Sequence, residues 1–130
     1  MDIELTSDLI EQMHAEAVAA HPRECCGMLL GHGMQILQVC SAQNVHPTPR
    51  THFEIDPQAL VDVHRAAREG GFQIIGYYHS HPDGPPQPSS TDAAMATGDY
   101  RIWAIITGDG KVSLWQDNPG GFEPRPYTLA

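Results

Sequence analysis

Phe72-Gln73-Ile74-Ile75-Gly76-Tyr77-Tyr78-His79-Ser80-His81-Pro82 runs from apolar residues into two histidines and a proline. From Phe72 to Tyr78 it is apolar with almost no polar alternation, which predicts a strand at the centre of a sheet, covered on both faces. Pro82, Pro85, Pro86 and Pro88 then make the following segment a rigid loop. Upstream, Asp56-Pro57 is a helix start, and Leu60, Val61, His64 and Ala67 keep helical spacing until Gly70-Gly71. His52 to Ile55 reads as a brief strand, and the proline-bearing segment 44–50 as loop. Cys25–Leu30 and Met34–Val39 read as a hairpin turning at Gly31-His32-Gly33. Thr6 or Ser7 caps a first helix whose apolar positions Leu9, Ile10, Met13, Ala17 and Val18 face one way, and Pro22 ends it.

Downstream, Ser89 or Ser90 caps a short helix to about Thr97. Ile102–Thr107 and Val112–Gln116 are two more strands around Gly108-Asp109-Gly110, and the tail with Pro119, Pro124 and Pro126 is irregular or edge-like. Helices and strands interleave, so the expected class is α/β, a mixed sheet flanked by helices, with residues 1–130 as a single domain.

The chain has 130 residues, Lys and Arg count 7 against 16 Asp and Glu, and the formal charge is -9. A nucleic-acid binder needs a cationic stripe to displace counterions, and the same acidity opposes an anionic membrane surface. Three cysteines do not make a disulfide framework. Met1-Asp2-Ile3-Glu4-Leu5 shows no secretory signal, and no apolar run has membrane-spanning length. The expectation is a cytoplasmic protein with no nucleic-acid or membrane partner.

In an extended backbone, residues i and i+2 point to one face, so His79 and His81 project two imidazoles side by side. Neutral imidazoles so placed are natural zinc ligands, and Asp92, beyond the stiff loop, offers a third. Two histidines and a carboxylate leave a fourth tetrahedral position open, as catalytic sites do; water there is acidified toward a pKa of about 7. Ser89, three residues before Asp92, is placed to donate to an oxyanion. Read alone, Ser89-x-x-Asp92 is also a capping box, and a lone His-x-His is usually decoration. The segment supplies no general base.

His79-Ser80-His81-Pro82 followed by Ser89-Ser90-Thr91-Asp92 resembles the signature of the JAMM (MPN+) zinc metallopeptidases. Pro22-Arg23-Glu24-Cys25-Cys26-Gly27-Met28-Leu29-Leu30-Gly31 matches that family's upstream motif. The resemblance implies the curved, cytidine-deaminase-like JAMM/MPN sheet. It implies that His79, His81 and Asp92 bind one zinc per chain, that Glu24 is the general acid/base, and that Ser89 assists the oxyanion. It implies hydrolysis of a peptide or isopeptide bond at the C-terminal tail of a ubiquitin-like protein. The short loop before Ser89 is similar to the stand-alone prokaryotic members, some of which act on sulfur-carrier proteins with a Gly-Gly end. An extended tail added to a sheet edge near the metal is the expected binding mode.

Other readings stand beside this one. A non-catalytic binding module of the same fold would lack parts of the ligand set. A cysteine hydrolase would use Cys25 or Cys26, although Cys26 in an apolar strand reads as a buried hydrophobe. A deaminase would need Cys-x-x-Cys, which does not occur. His14, His21, His32, His46, His52 and His64 read as structural or surface residues, and Trp103 and Trp115 as core aromatics.

Overall fold

The computed structural model describes residues 2–130. In chain order the elements are β1 (Ile3–Leu5), α1 (Ser7–Ala20), β2 (Cys26–His32), β3 (Gln35–Ala42), α2 (Pro57–Arg68), β4 (Gln73–His81), α3 (Ser90–Met95), β5 (Ile102–Thr107), β6 (Val112–Asn118), β7 (Gly121–Arg125) and β8 (Tyr127–Leu129). The strands form one 8-stranded sheet in the order β7-β6-β5-β4-β2-β3-β1-β8. It is mixed: β4 runs parallel to β5, β1 runs parallel to β3 and β8, and the other pairs are antiparallel. The expected α/β class with a mixed sheet is what the chain adopts.

Alternation along the central strands divides the core in two. Leu29 and Tyr78 join Met13 and Ala17 of α1, with Leu5, Ile36, Ile106 and Leu114, on one face. Cys26, Met28, Leu30 and Trp103 join Phe53, Ile55 and the half-buried Ala59, Leu60 and Val63 of α2 on the other. Tyr78 carries its hydroxyl into the first of these faces and donates it to Glu16 Oε1 at 2.7 Å, so the core phenol has a partner.

β7 and β8 lie at opposite edges of the sheet, yet only Pro126 separates them in the chain. Consecutive Cα atoms are about 3.8 Å apart, so Arg125 and Tyr127 stand within roughly 7.6 Å of one another. The sheet therefore curls until its edges approach, enclosing the α1 face. Among the described residues no helix is long and apolar enough to cross a membrane.

Several boundaries differ from the sequence reading, each for a local reason. The β2–β3 hairpin pairs His32 with Gln35 and turns at Gly33-Met34, with Gly33 at φ 60° supplying the left-handed residue. The strand expected at 52–55 reduces to a single bridge between Asn44 and Ile55, flanked by Val45 N–H to Glu54 O and Asp56 N–H to Gln43 O, with the Asn44 side chain bonding His52 O and Glu54 N. The irregular tail is two strands, and β1 adds a third that three residues were too short to announce. β4 reaches His81, three residues beyond the apolar run, so both motif histidines sit on the strand itself.

Candidate metal centre

The site is built where β2 begins and β4 ends. Cys26 pairs with His79, and carrying that register outward sets Glu24 opposite His81. Ser80, between the histidines, fastens the two strands: its amide donates to Cys25 O at 3.1 Å and its Oγ accepts from Cys25 N at 2.8 Å. Glu24 itself is held at both ends of its backbone. Its N–H donates to Pro49 O at 2.7 Å, and its carbonyl accepts from Asn44 Nδ2 at 3.1 Å. Asp92 arrives from the third direction, on the first turn of α3. There Ser89 Oγ accepts from Asp92 N at 3.0 Å while Asp92 Oδ2 accepts from Ser89 N at 2.9 Å. The capping box and the cluster thus coexist, one carboxylate serving both.

His79 Nε2, His81 Nε2 and Asp92 Oδ2 form a triangle with sides of 3.0, 3.0 and 3.1 Å. All three residues are buried. His79 lies flat on Phe53, ring centroids 4.4 Å apart, with Trp103 edge-on at 5.8 Å, so packing fixes its plane. His81 is fixed by a hydrogen bond, its Nδ1 lying 2.8 Å from Pro85 O. That carbonyl accepts, so Nδ1 carries the proton and Nε2 of the neutral ring is a bare lone pair. Three electron-rich atoms therefore converge on one point. A divalent cation satisfies all of them at once, and a carbonyl behind one imidazole is the support that ligating histidines usually have. The residues fit a metal, and two nitrogens with one carboxylate oxygen is a borderline-hard donor set.

The electrostatics follow from burial and proximity. Burial pushes the Glu24 carboxyl up to about 8, opposed by His81 and reinforced by the Asp92 charge. Glu24 Oε1 is buried and has no hydrogen-bond partner. Burial alone would raise Asp92, but the two imidazoles against it and the Ser89 N–H outweigh that and hold this carboxyl below its ordinary range. Burial drives His79 down, against the pull of Asp92. At His81 burial acts downward too, and there the Asp92 and Pro85 hydrogen bonds win and raise it. Near neutral pH the arrangement is an ionised Asp92 beside a carboxyl, Glu24, able to hold or release a proton.

Glu24, His81 and Ser89 line one cleft, with Pro85 and Gln87 on its wall, so the five residues of the two motifs come together around one place. Ser89 is exposed and spends only its acceptor capacity on the cap, leaving its proton free to donate into that cleft. Among the described residues the expected sheet edge beside the site is not there: β2, β4 and β5 each have neighbours on both sides. Both thiols of the cysteine-hydrolase reading are buried, and burial raises Cys25 and pushes Cys26 up to about 12. Neither is a thiolate at neutral pH. The six other histidines keep structural or surface positions, for example His14, whose Nε2 lies 3.0 Å from Gly108 O.

Phe53, Asn44 and Pro85 support the site without having been singled out in the sequence. Only Pro85 carried a signal, in that a carbonyl in a rigid loop next to a ligand histidine has little freedom to turn away.

The description "prokaryotic homologs of the JAB domain" fits residues 6–118. The chain is 34% identical over 104 residues to the desampylase of Haloferax volcanii, covering 77% of this chain and 75% of that protein. It is 34% identical over 100 residues to a probable TtuB-protein conjugate cleaving protease of Thermus thermophilus, covering 77% of this chain and 66% of that one. A solved protein from Desulfitobacterium hafniense superimposes with a TM-score of 0.85 at 28% identity, over 98% of this chain and 92% of its own.

Proposed function

The chain belongs to the prokaryotic JAB (JAMM/MPN) domain family, and from that premise we propose that it is a zinc-dependent hydrolase. It cuts a peptide or isopeptide bond at the C-terminal tail of a ubiquitin-like, sulfur-carrier type protein. The observation that carries this reading is the buried triangle of His79, His81 and Asp92 with Glu24 in the adjoining cleft. The names of the two relatives, a desampylase and a conjugate cleaving protease, support the substrate class.

His79, His81 and Asp92 would hold the ion, one per chain. Bound there, zinc supplies a Lewis acid that polarises the scissile carbonyl and acidifies water. Glu24 takes the proton of the attacking water at its carboxylate and later delivers it to the leaving amine. In the metal-free protein burial raises this carboxyl to about 8, so its carboxylate holds a proton more firmly than a solvated one. Ser89 donates its hydroxyl proton to the oxygen on which charge develops. Asn44, Pro49 and Ser80 keep Glu24 at a fixed distance from the two imidazoles.

The test is cleavage of a ubiquitin-like carrier bearing a C-terminal amino-acid or lysine adduct. Zinc-loaded protein is expected to release the adduct, a chelator to stop it, added zinc to restore it, and a thiol alkylator to leave it unchanged. Carrier binding with no release by zinc-loaded protein would turn the reading toward a non-catalytic module of the same fold.

A further inference from the structure

We propose that Arg50 makes the cleft beside Glu24 a carboxylate-binding subsite, so that the favoured substrate carries a free carboxylate next to the scissile bond. This rests on the peptidase reading above and specifies the substrate for it. In a chain of net charge -9, acidic groups outnumber Lys and Arg 16 to 7, and Arg50 is the one arginine or lysine among the described residues that lines the cleft of Glu24, His81 and Ser89. Among the described residues Arg50 forms no ion pair and no hydrogen bond through its side chain. Arg23, Arg65 and Arg68 are in the same condition, and Arg50 differs from them in lining the cleft with Glu24.

Arg50 is also held in register with the site. Pro49, its neighbour, accepts the Glu24 N–H at 2.7 Å. Asn44 Nδ2 donates to Glu24 O at 3.1 Å and to His52 O at 3.0 Å, and the His52 and Thr51 amides both return to Thr48 O. The loop that carries Arg50 is therefore tied to the backbone of Glu24 from both sides. Arg50 and Thr51 line the same cleft as Glu24, His81 and Ser89, whose volume is about 350 Å³. Arg50 and Thr51 also line the adjoining cavity with Arg23. Asp83 stands in the cleft as well and makes no ion pair with Arg50, which is exposed, so its guanidinium is open to a ligand entering the cleft.

A guanidinium offers paired donors that match a carboxylate, which a lysine ammonium does not. In a bond to a C-terminal amino acid, the α-carboxylate sits two bonds from the scissile nitrogen. In an isopeptide bond to a lysine side chain no carboxylate is so close. Water adds to the carbonyl carbon, the C–N bond breaks, the carrier keeps the new carboxyl group, and the amine leaves with the proton from Glu24. The departing amino acid then takes its own carboxylate from Arg50. An acidic side chain in the carrier's tail would present the same chemistry from the other side of the bond.

The experiment measures binding of three short peptides to zinc-loaded Glu24→Gln protein. One ends in Gly-Gly-Ala with a free carboxylate, the second is its C-terminal amide, and the third is the amide with an aspartate before Gly-Gly. The free acid is expected to bind at least about tenfold more tightly than the amide. Arg50→Ala should erase that difference at unchanged zinc content, and Arg50→Lys should keep part of it. An Arg50-dependent gain for the aspartate peptide instead assigns the carboxylate to the carrier's tail. Equal binding of all three, or a free-acid preference that Arg50→Ala leaves intact, overturns the subsite. The free-acid and amide peptides are also offered to the wild-type enzyme. No cleavage alongside an Arg50-dependent preference counts against the peptidase reading alone, and cleavage without such a preference counts against the subsite alone.

Discussion

At Asp92 one side chain closes the N-terminus of α3 and faces two imidazoles, so its removal has two separable effects. Asp92→Ala is expected to lose bound zinc and also about 1 kcal/mol of stability through the cap, read by metal content and by denaturant titration. Asp92→Asn keeps an acceptor for Ser89 N and should recover most of the stability while still failing to hold the ion. Full zinc occupancy in either variant would remove Asp92 from the ligand set. Glu24 makes a prediction about pH. Its carboxyl is raised from 4.5 in the unfolded chain to about 8 in the folded one, so between those values the folded state binds the extra proton. Stability from this group is therefore greatest below pH 4.5 and is lost as pH rises toward 8. In the metal-free protein Glu24→Gln should raise the melting temperature at pH 8 and do little near pH 4.5, with a difference of up to roughly 5 kcal/mol. With zinc loaded, the same variant should retain the metal and lose turnover by at least about 100-fold. A melting temperature that tracks pH identically in both proteins would show that Glu24 is not desolvated.

At the scale of elements, β4 carries the site, and its alignment with β5 depends on Gly76. A Cβ there would run into the backbone of Ile102, which is itself fixed in the parallel ladder. Gly76→Ala is expected to cost about 2–3 kcal/mol in urea titration and to weaken zinc binding, because the strand must shift three residues ahead of His79. Wild-type stability in that variant would mean that the β4–β5 contact is looser than described. This strand was legible in the sequence because its apolar run, its stop at Pro82 and its two histidines are all local signals. The helices α1 and α2 were legible for the same reason, through caps and spacing. β7 and β8 were not. Pro124 and Pro126 argue against strands, and they are tolerated here because β7 is an edge and Pro126 joins two edges, where a missing N–H leaves no ladder bond unmade. Within the site, the two motifs pointed to Glu24, His79, His81, Ser89 and Asp92. Phe53 and Asn44 were invisible because their contacts to His79 and Glu24 join segments that no spacing rule connects.

For the whole molecule, the curl of the sheet keeps the site apart from the closure. The edges approach where Pro126 joins β7 to β8, and β8 pairs with β1 and places Tyr127 against the core that contains Ile3 and Leu5, both fully buried. Deleting residues 127–130 is expected to lower the melting temperature by several degrees and to promote association through the newly bare β1 edge, while zinc binding persists. Loss of zinc binding in the truncated chain would instead make closure of the sheet a condition of the site. The most direct measurement of the central claim is an equilibrium zinc titration of the full chain beside its His79→Ala, His81→Ala and Asp92→Ala variants. One equivalent should bind tightly to the wild-type protein, and binding should weaken by at least about tenfold in every variant. A wild-type chain that takes up no zinc, or variants that bind it as tightly as the wild type, would contradict the account.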